Sequence, residues 1–342
     1  METLIARAAR DTNAKKAALS AAVAGGALVA AKIGLDRRSS SDDVRRFRLR
    51  DGEPVPDGLR RIARAQLDMS IERLEGQTDE ELGTAVHETR KSLKRLRATI
   101  RLARDELGDE LYRRENIAFR DAGRRLAGAR DDQVLLETLD ALSERYPVEA
   151  PRARFDRFRE MLAGQHGAAQ RRLQEATAIA EVVGELRAAR ACVPDWPLER
   201  EGFDGLAPGF RRIYRRGRRE YRAARREPGT ESLHELRKRV KDLWYAGQVV
   251  TPAEPKKMRR IARRAHELSN LIGEDHDLAM LGQRAAERSD RVDDEAAVGE
   301  LAKLIERRRE ELQRAAMDRA ESLFRKKPGK MARPLEKARV TA

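Results

Sequence analysis

Two histidines in the sequence are each followed by three cations at helical spacing. The two sets, separated by a constant 147 residues (234 − 87 = 147), are His87, Arg90, Lys91, Lys94 and His234, Arg237, Lys238, Lys241. Spacings of three, four and seven residues bring side chains onto one face of an α-helix. Arginine binds phosphate oxygens through a planar fork, and lysine binds them as a point charge. We call each set a histidine stripe and predict that it binds phosphate groups.

The first stripe extends further along its helix than the second. Arg97 and Arg101 continue the first stripe, whereas Trp244 and Gln248 stand at the equivalent positions of the second. The opposite side of the first helix is apolar and carries Leu82, Val86, Leu93, Leu96, Ile100 and Leu107. We therefore predict an amphipathic helix whose apolar side faces a core and whose cationic side carries no acid.

The helix that precedes each stripe is also basic. Arg60 and Arg64 lie ahead of the first stripe. The helix ahead of the second stripe carries Arg211, Arg212, Arg215, Arg218, Arg219 and Arg222. A single arginine-rich helix is usually a solvated face balanced by glutamates. Because these basic helices accompany both stripes, we predict that their arginines add phosphate contacts to the same surface.

The overall charge favours a polyanionic partner. The 342 residues include 73 Lys and Arg against 58 Asp and Glu, which gives a formal net charge of +15 and a pI near 10.2. Such an excess suits nucleic acid, an anionic membrane or a phosphate polymer. Aromatic residues make up only 4% of the chain, so few rings are available to stack on the bases of single-stranded nucleic acid.

Other chemistry has weaker support in the sequence. Asp275-His276-Asp277 is compatible with a metal-dependent phosphohydrolase, but the start of a capped helix explains it better. The chain has no glycine-rich phosphate loop ending in Lys-Ser or Lys-Thr and no Gly-x-Ser-x-Gly elbow. Its single cysteine, Cys192, excludes an intramolecular disulfide and a cysteine-based zinc site. We expect no cofactor, no bound metal and no catalysis.

The periodicity predicts an all-α protein in which internal duplication produces two four-helix-type bundles. The predicted divisions are a mobile Ala-rich leader (1–41), a first half (42–191), a linker (192–209), a second half (210–325) and a basic disordered tail (326–342). The uncharged run 17–31 is shorter than the roughly 20 residues that span a bilayer. Membrane contact by this run is therefore the less favoured interpretation.

Three features together resemble the CHAD family, the conserved-histidine α-helical domain. They are the twin His-x-x-Arg-Lys-x-x-Lys helices, the openers Leu59-Arg-Arg-Ile-Ala and Phe210-Arg-Arg-Ile-Tyr, and the glycine–aspartate turns at 128–131 and 273–275. The resemblance covers about 42–324. It implies two bundles related by a pseudo-twofold axis and a basic surface that binds inorganic polyphosphate, with the two stripes as the binding set.

The resemblance also implies a cytoplasmic protein associated with polyphosphate granules. Members are often joined to a triphosphate-tunnel domain, for which this chain lacks room, so we expect a stand-alone member. We expect other polyanions to be secondary partners and no specific nucleic acid to be bound. Two alternatives stay open: a protein that binds the nucleic-acid backbone, and a metal-dependent phosphoanhydride hydrolase.

Overall fold

Apolar residues at intervals of three and four fold the described parts of the chain into α-helices. The computed structural model describes residues 46–75, 81–126, 131–149, 155–164, 178–287 and 295–338. In chain order the α-helices are α1 Val55–Glu75, α2 Leu82–Leu102, α3 Arg104–Leu107, α4 Asp109–Arg125, α5 Asp131–Arg145, α6 156–164, α7 Ala178–Cys192, α8 Ala207–Arg226, α9 Thr230–Val249, α10 Pro255–Ala286, α11 Glu295–Phe324 and α12 Pro328–Lys337. None of the described residues is in a β-strand, which confirms the prediction of an all-α protein.

Helix α2 carries the first histidine stripe and buries the opposite side. The predicted apolar residues Leu82, Val86, Leu93, Leu96 and Ile100 are all buried. Four polar residues are buried with them, namely Thr89, Ser92, Arg95 and Thr99. Their burial follows from the central position of α2, since α1, α4 and α9 all pack against it.

Helix α9 carries the second stripe and packs against α2, α8 and α10. Leu233, Leu236 and Val240 face its core side and are buried. Arg101 of α2 and Asp242 of α9 form an ion pair with Nη1 and Oδ1 2.6 Å apart, and their side chains are only 13% and 14% exposed. The pair therefore holds the two stripe helices side by side.

The predicted boundary between the two halves is crossed by a hydrophobic core. Helices α5 and α6 belong to the first half in sequence, but they pack against α10 and α11. The buried residues of this core include Leu139, Tyr146, Phe158, Leu162, Leu281, Leu301 and Leu312. The sequence did not predict this packing, and the pseudo-twofold arrangement of two four-helix bundles stays a prediction.

The chain divides into two compact units, Met1–Phe47 and Arg48–Ala342. The predicted leader and its run 17–31 lie outside the described residues, as does the turn predicted at 128–131, except for the backbone of residue 131. No described helix is both long enough and apolar enough to cross a bilayer.

The turn predicted at 273–275 is wrong, because α10 runs without a break from Pro255 to Ala286. Gly273 has a packing role. A Cβ at this position would lie 2.9 Å from Nη2 of Arg237, so only glycine lets this guanidinium approach the helix so closely. The glycine that suggested a turn thus makes room for a cation of the second stripe.

The prediction of a disordered tail is wrong for Pro328–Lys337, which form helix α12. Met331, Ala332 and Leu335 are buried on one side of it, and the helix packs against α8. Phe324, which ends α11 ahead of this helix, packs against Gly217 of α8. A Cβ on Gly217 would lie 2.7 Å from the ring of Phe324. Basic composition concealed this short apolar pattern.

Candidate anion-binding site

Two cavities open beside the stripe helices and share one wall. Lys94 of α2 and Arg237, Lys241 and Tyr245 of α9 line both of them. We name them by their charge: the basic cavity has a volume of about 480 Å³, and the mixed cavity one of about 440 Å³. The shared wall shows that cations of both histidine stripes converge.

The basic cavity is lined by ten cationic side chains and one carboxylate, that of Asp242. The cations are Arg90, Lys94, Arg97, Arg101, Arg120, Arg124, Arg237, Lys238, Arg239 and Lys241. Sequence reasoning missed Arg120, Arg124 and Arg239. The first two belong to α4. In the sequence the arginines of α4 indicate a solvent-exposed face, and only the packing of α4 on α2 brings them to the cavity.

The mixed cavity is lined by six cations and three carboxylates. These residues are Lys91, Lys94, Arg145, Arg237, Lys241 and Arg308, with Glu137, Glu274 and Asp277. His87, Trp244 and His266 complete the polar and aromatic part of the wall. The carboxylates come from α5 and α10, so they are contributed by neighbours of the stripe helices.

Lys241 occupies the shared wall and is the most perturbed cation there. Burial is the largest cause of its lowered pKa, which falls to about 7, and the charges of Arg237 and Lys94 lower it further. The carboxylate of Asp277 acts in the opposite direction. A charge on Lys241 is costly beside these other cations. An anion bound here would raise the pKa of Lys241 and favour its protonated form.

The two histidine stripes are part of the pattern by which the sequence resembles the CHAD family, and a comparison with family profiles confirms this resemblance. A profile of the CHAD domain matches residues 61–286, which is more than half of the chain. This chain belongs to the CHAD family. The crystal structure of the CHAD domain from the plant Ricinus communis is similar, with 16% sequence identity and a TM-score of 0.49, and the alignment covers 85% of this chain and 95% of that chain. No protein with a curated description matches.

Three histidines of this CHAD protein gather around the second stripe. The rings of His234 and His276 lie 4.8 Å apart, and those of His266 and Trp244 are stacked at 4.0 Å. Burial lowers the pKa of His234, with a further contribution from the charge of Lys238. The pKa of His266 is lowered by burial and by Lys241. Both shifts favour the neutral form of the ring.

The prediction that the stripe faces carry no acid is wrong. Lys91 pairs with Glu88 at 3.2 Å, and Lys238 pairs with Glu235 in the same way. The acid stands three residues before each lysine, a spacing at which side chains on a helix meet. Arg101 is bound by Asp242. The stripes thus include cations that already have partners in the CHAD fold.

The eight predicted arginines of α1 and α8 do not line either cavity. They are Arg60, Arg64, Arg211, Arg212, Arg215, Arg218, Arg219 and Arg222. Several have structural partners instead. Arg60 donates to the carbonyl oxygen of Trp196 at 2.8 Å, and Arg212 binds Asp105 at 2.8 and 3.1 Å. These contacts give Arg60 of α1 and Arg212 of α8 structural roles.

Asp275, His276 and Asp277 face three different surroundings. The Oδ1 of Asp275 accepts hydrogen bonds from Gln313 at 2.8 Å and Arg309 at 3.2 Å. His276 lies beside His234, and Asp277 lines the mixed cavity. No three His, Cys, Asp or Glu residues within the described ranges are placed to hold one metal ion. The interpretation of this run as a helix start is also wrong, because it lies inside α10.

Proposed function

We propose that this CHAD protein binds inorganic polyphosphate without catalysis, at the wall where its two histidine stripes meet. The observation that carries the proposal is the double role of Lys94, Arg237 and Lys241, which line both cavities. A repeating anion can contact the shared wall and extend into either cavity. A small ligand would occupy only one of them.

The charge of the basic cavity supports a polymer of phosphates over a single phosphate group. Ten cations face one carboxylate, and the helices that carry them are fixed against each other by the ion pair of Arg101 and Asp242. Neutralising so many cations requires a ligand with many charges. Binding would release counterions from the polymer, so the affinity would fall steeply with salt concentration.

A catalytic role has less support. A phosphoanhydride hydrolase that held a metal with Asp275, His276 and Asp277 would need these residues to converge. Asp275 is occupied by Arg309 and Gln313, and Asp277 lines the mixed cavity. The backbone of nucleic acid offers the same phosphates. Additional stacking on its bases has little support, because Trp244 is already stacked with His266 and Tyr245. The cations that would bind phosphate do not read bases. We also expect the protein to associate with polyphosphate granules.

The test is a titration with long-chain polyphosphate over a range of salt concentrations. Replacing Arg90, Lys91 and Lys94 by Ala should lower the affinity at least ~10-fold. The slope of log K against log salt should fall by about 2, since each lost phosphate contact contributes roughly 0.7. Circular dichroism checks that the helices are retained, because all three side chains lie on the side of α2 away from its apolar core.

The matched control removes the same charge elsewhere, at the exposed residues Arg113, Arg157 and Lys303. This control should bind within about twofold of the wild type, since distant exposed charges are largely screened by salt. Equal losses in the two variants would show that net charge alone drives binding. Displacement of polyphosphate by DNA at an equal phosphate concentration would favour the nucleic-acid alternative.

A further inference from the structure

Five exposed cations surround the start of the last described helix. They line a shallow depression of about 600 Å³ and are Arg325, Lys326, Lys327, Lys330 and Arg333. We call them the tail patch. The tail patch shares no residue with the two stripe cavities. It also lies outside residues 61–286, which match the CHAD profile.

The tail patch is mounted on a fixed backbone. The hydroxyl of Tyr214 lies 3.0 Å from the carbonyl oxygens of both Leu323 and Lys326. Nε of Arg218 donates to the carbonyl oxygen of Phe324 at 3.0 Å. The ring of Phe324 is buried and stacks with that of Tyr221 at 6.1 Å. The five cations are therefore presented from a held turn and a packed helix.

Charge at the tail patch is not compensated within the described protein. None of its five side chains forms an ion pair with a described carboxylate. The nearest acid of α12, Glu336, pairs with Arg211. Lys257 of α10 adds to the crowding, because burial lowers its pKa and the charge of Lys326 lowers it further. Like charges held together cost free energy that a bound polyanion would recover.

We propose that the tail patch is a second binding site for polyphosphate, so that one long chain is held at two places on the molecule. This inference rests on the proposed function. Only Arg and Lys line the depression, so it offers no ring to stack on a base. Met331, Ala332 and Leu335 face the protein core, so α12 offers no apolar side chain to insert into a bilayer. A phosphate polymer needs neither, and it is the ligand proposed for the stripe cavities.

Two sites on one protein make affinity depend on chain length. A chain long enough to reach both sites binds the second one intramolecularly, at a high effective concentration. Tripolyphosphate is too short to use this advantage. Neutralising the tail patch should therefore weaken the binding of long chains far more than that of tripolyphosphate.

The first test replaces all five cations of the tail patch by Gln. We expect the affinity for long-chain polyphosphate to fall at least ~10-fold, and its salt slope to fall by about 3.5, at roughly 0.7 for each of the five contacts. The matched control removes five exposed cations elsewhere, namely Arg113, Arg157, Lys303, Arg314 and Arg319. A charge-preserving variant, Arg325→Lys with Arg333→Lys, should bind within about threefold of the wild type and shows that the fold is kept. Equal behaviour of the Gln variant and the control would overturn the proposal.

A second test separates this proposal from the proposed function. Lysine acetylation, read by mass spectrometry, reports which amines polyphosphate shields in the wild-type protein. We expect shielding of Lys326, Lys327 and Lys330 as well as of Lys94 and Lys238, with Lys303 unchanged. Shielding of the stripe lysines alone would overturn the tail patch and leave the proposed function standing. Shielding of the tail lysines alone would overturn the proposed function, and with it the claim that one chain is held at two places. Shielding of the tail by DNA or by anionic vesicles, but not by polyphosphate, would also overturn it.

Discussion

The basic cavity and the mixed cavity share Lys94, Arg237 and Lys241, yet their charges differ. Ten cations and one carboxylate line the first, while six cations and three carboxylates line the second. The shared residues cannot account for this difference. Part of it arises from the neighbouring helices: α4 brings two arginines to the basic cavity, and α5 and α10 bring three carboxylates to the mixed one. The rest arises from the stripe helices themselves, which direct five further cations to the basic cavity alone.

The three cations that line only the mixed cavity are each paired with a carboxylate, and in the basic cavity Arg120 and Arg124 both contact Asp121. Lys91 contacts Glu88, Arg145 contacts Glu311, and Arg308 contacts Glu274. An anion would have to compete with these carboxylates for each cation. The comparison teaches that a cationic stripe on a helix does not by itself make an anion site. The charges on the packed neighbours decide how much of the stripe is available.

The largest expected effect comes from emptying the basic cavity of cations that it does not share. Replacing Arg97, Arg120 and Arg124 by Gln should lower polyphosphate affinity about 100-fold. This is about 2.8 kcal/mol, the contribution of one to two hydrogen bonds to a charged group at about 1.5–3 kcal/mol each. Isothermal titration calorimetry with long-chain polyphosphate measures this loss.

The matched variant empties the mixed cavity instead. Replacing Lys91, Arg145 and Arg308 by Gln removes the same three charges, but we expect less than about a tenfold loss because three carboxylates line the mixed cavity and only one lines the basic cavity. Equal losses in the two triple variants would erase the distinction between the cavities. A larger loss in the mixed variant would place the polymer on the opposite side of the shared wall.

The next effect concerns pH and the shared wall itself. Lys241 has a pKa near 7 in the unliganded protein, and a bound polyanion should raise that pKa. Binding then takes up a proton above pH 7. Affinity should therefore fall by up to about tenfold per pH unit from pH 7 towards the pKa of the bound state, and Lys241 should contribute no change below pH 7. Titrations between pH 6 and 9 measure the slope.

Two variants isolate the contribution of Lys241 from that of the phosphate groups. Lys241→Met removes the titrating amine, so its affinity should be lower at pH 7 and nearly flat between pH 7 and 9. Lys241→Arg keeps a charge throughout this range and should also be flat, with the higher affinity of the two. An unchanged pH slope in both variants would assign the proton uptake to another group.

Local features of this fold could be predicted from the sequence, because they depend on residues close along the chain. The helix predicted to carry the second stripe is Thr230–Val249. Apolar periodicity and constant spacing were sufficient for this prediction. The offset of 147 residues identified the two helices without showing how they pack.

Features that depend on tertiary contacts could not be predicted. Gly273 suggested a turn, but a glycine stands there because the guanidinium of Arg237, on another helix, approaches it closely. Helix α12 has only three buried residues among many cations, too weak a pattern to recognise without α8 beside it. The arginines of α4 and the carboxylate of Asp242 reach the site only through packing and ion pairing.

The smallest expected effect concerns Asp242, the single carboxylate that lines the basic cavity. Asp242 binds Arg101 at 2.6 Å and Arg239 at 3.3 Å. Asp242→Asn removes its charge and releases both guanidiniums towards a phosphate ligand, so we expect polyphosphate affinity to rise about threefold. The same change removes a largely buried ion pair between α2 and α9, so the thermal midpoint of the unliganded protein should fall. Opposite signs of the two effects are the discriminating result, since a general loosening of the fold would lower both.

Glu274→Gln is the counterpart in the mixed cavity, where two carboxylates would remain. It should leave the affinity within about twofold, and a larger gain there than in Asp242→Asn would reverse the assignment of the two cavities.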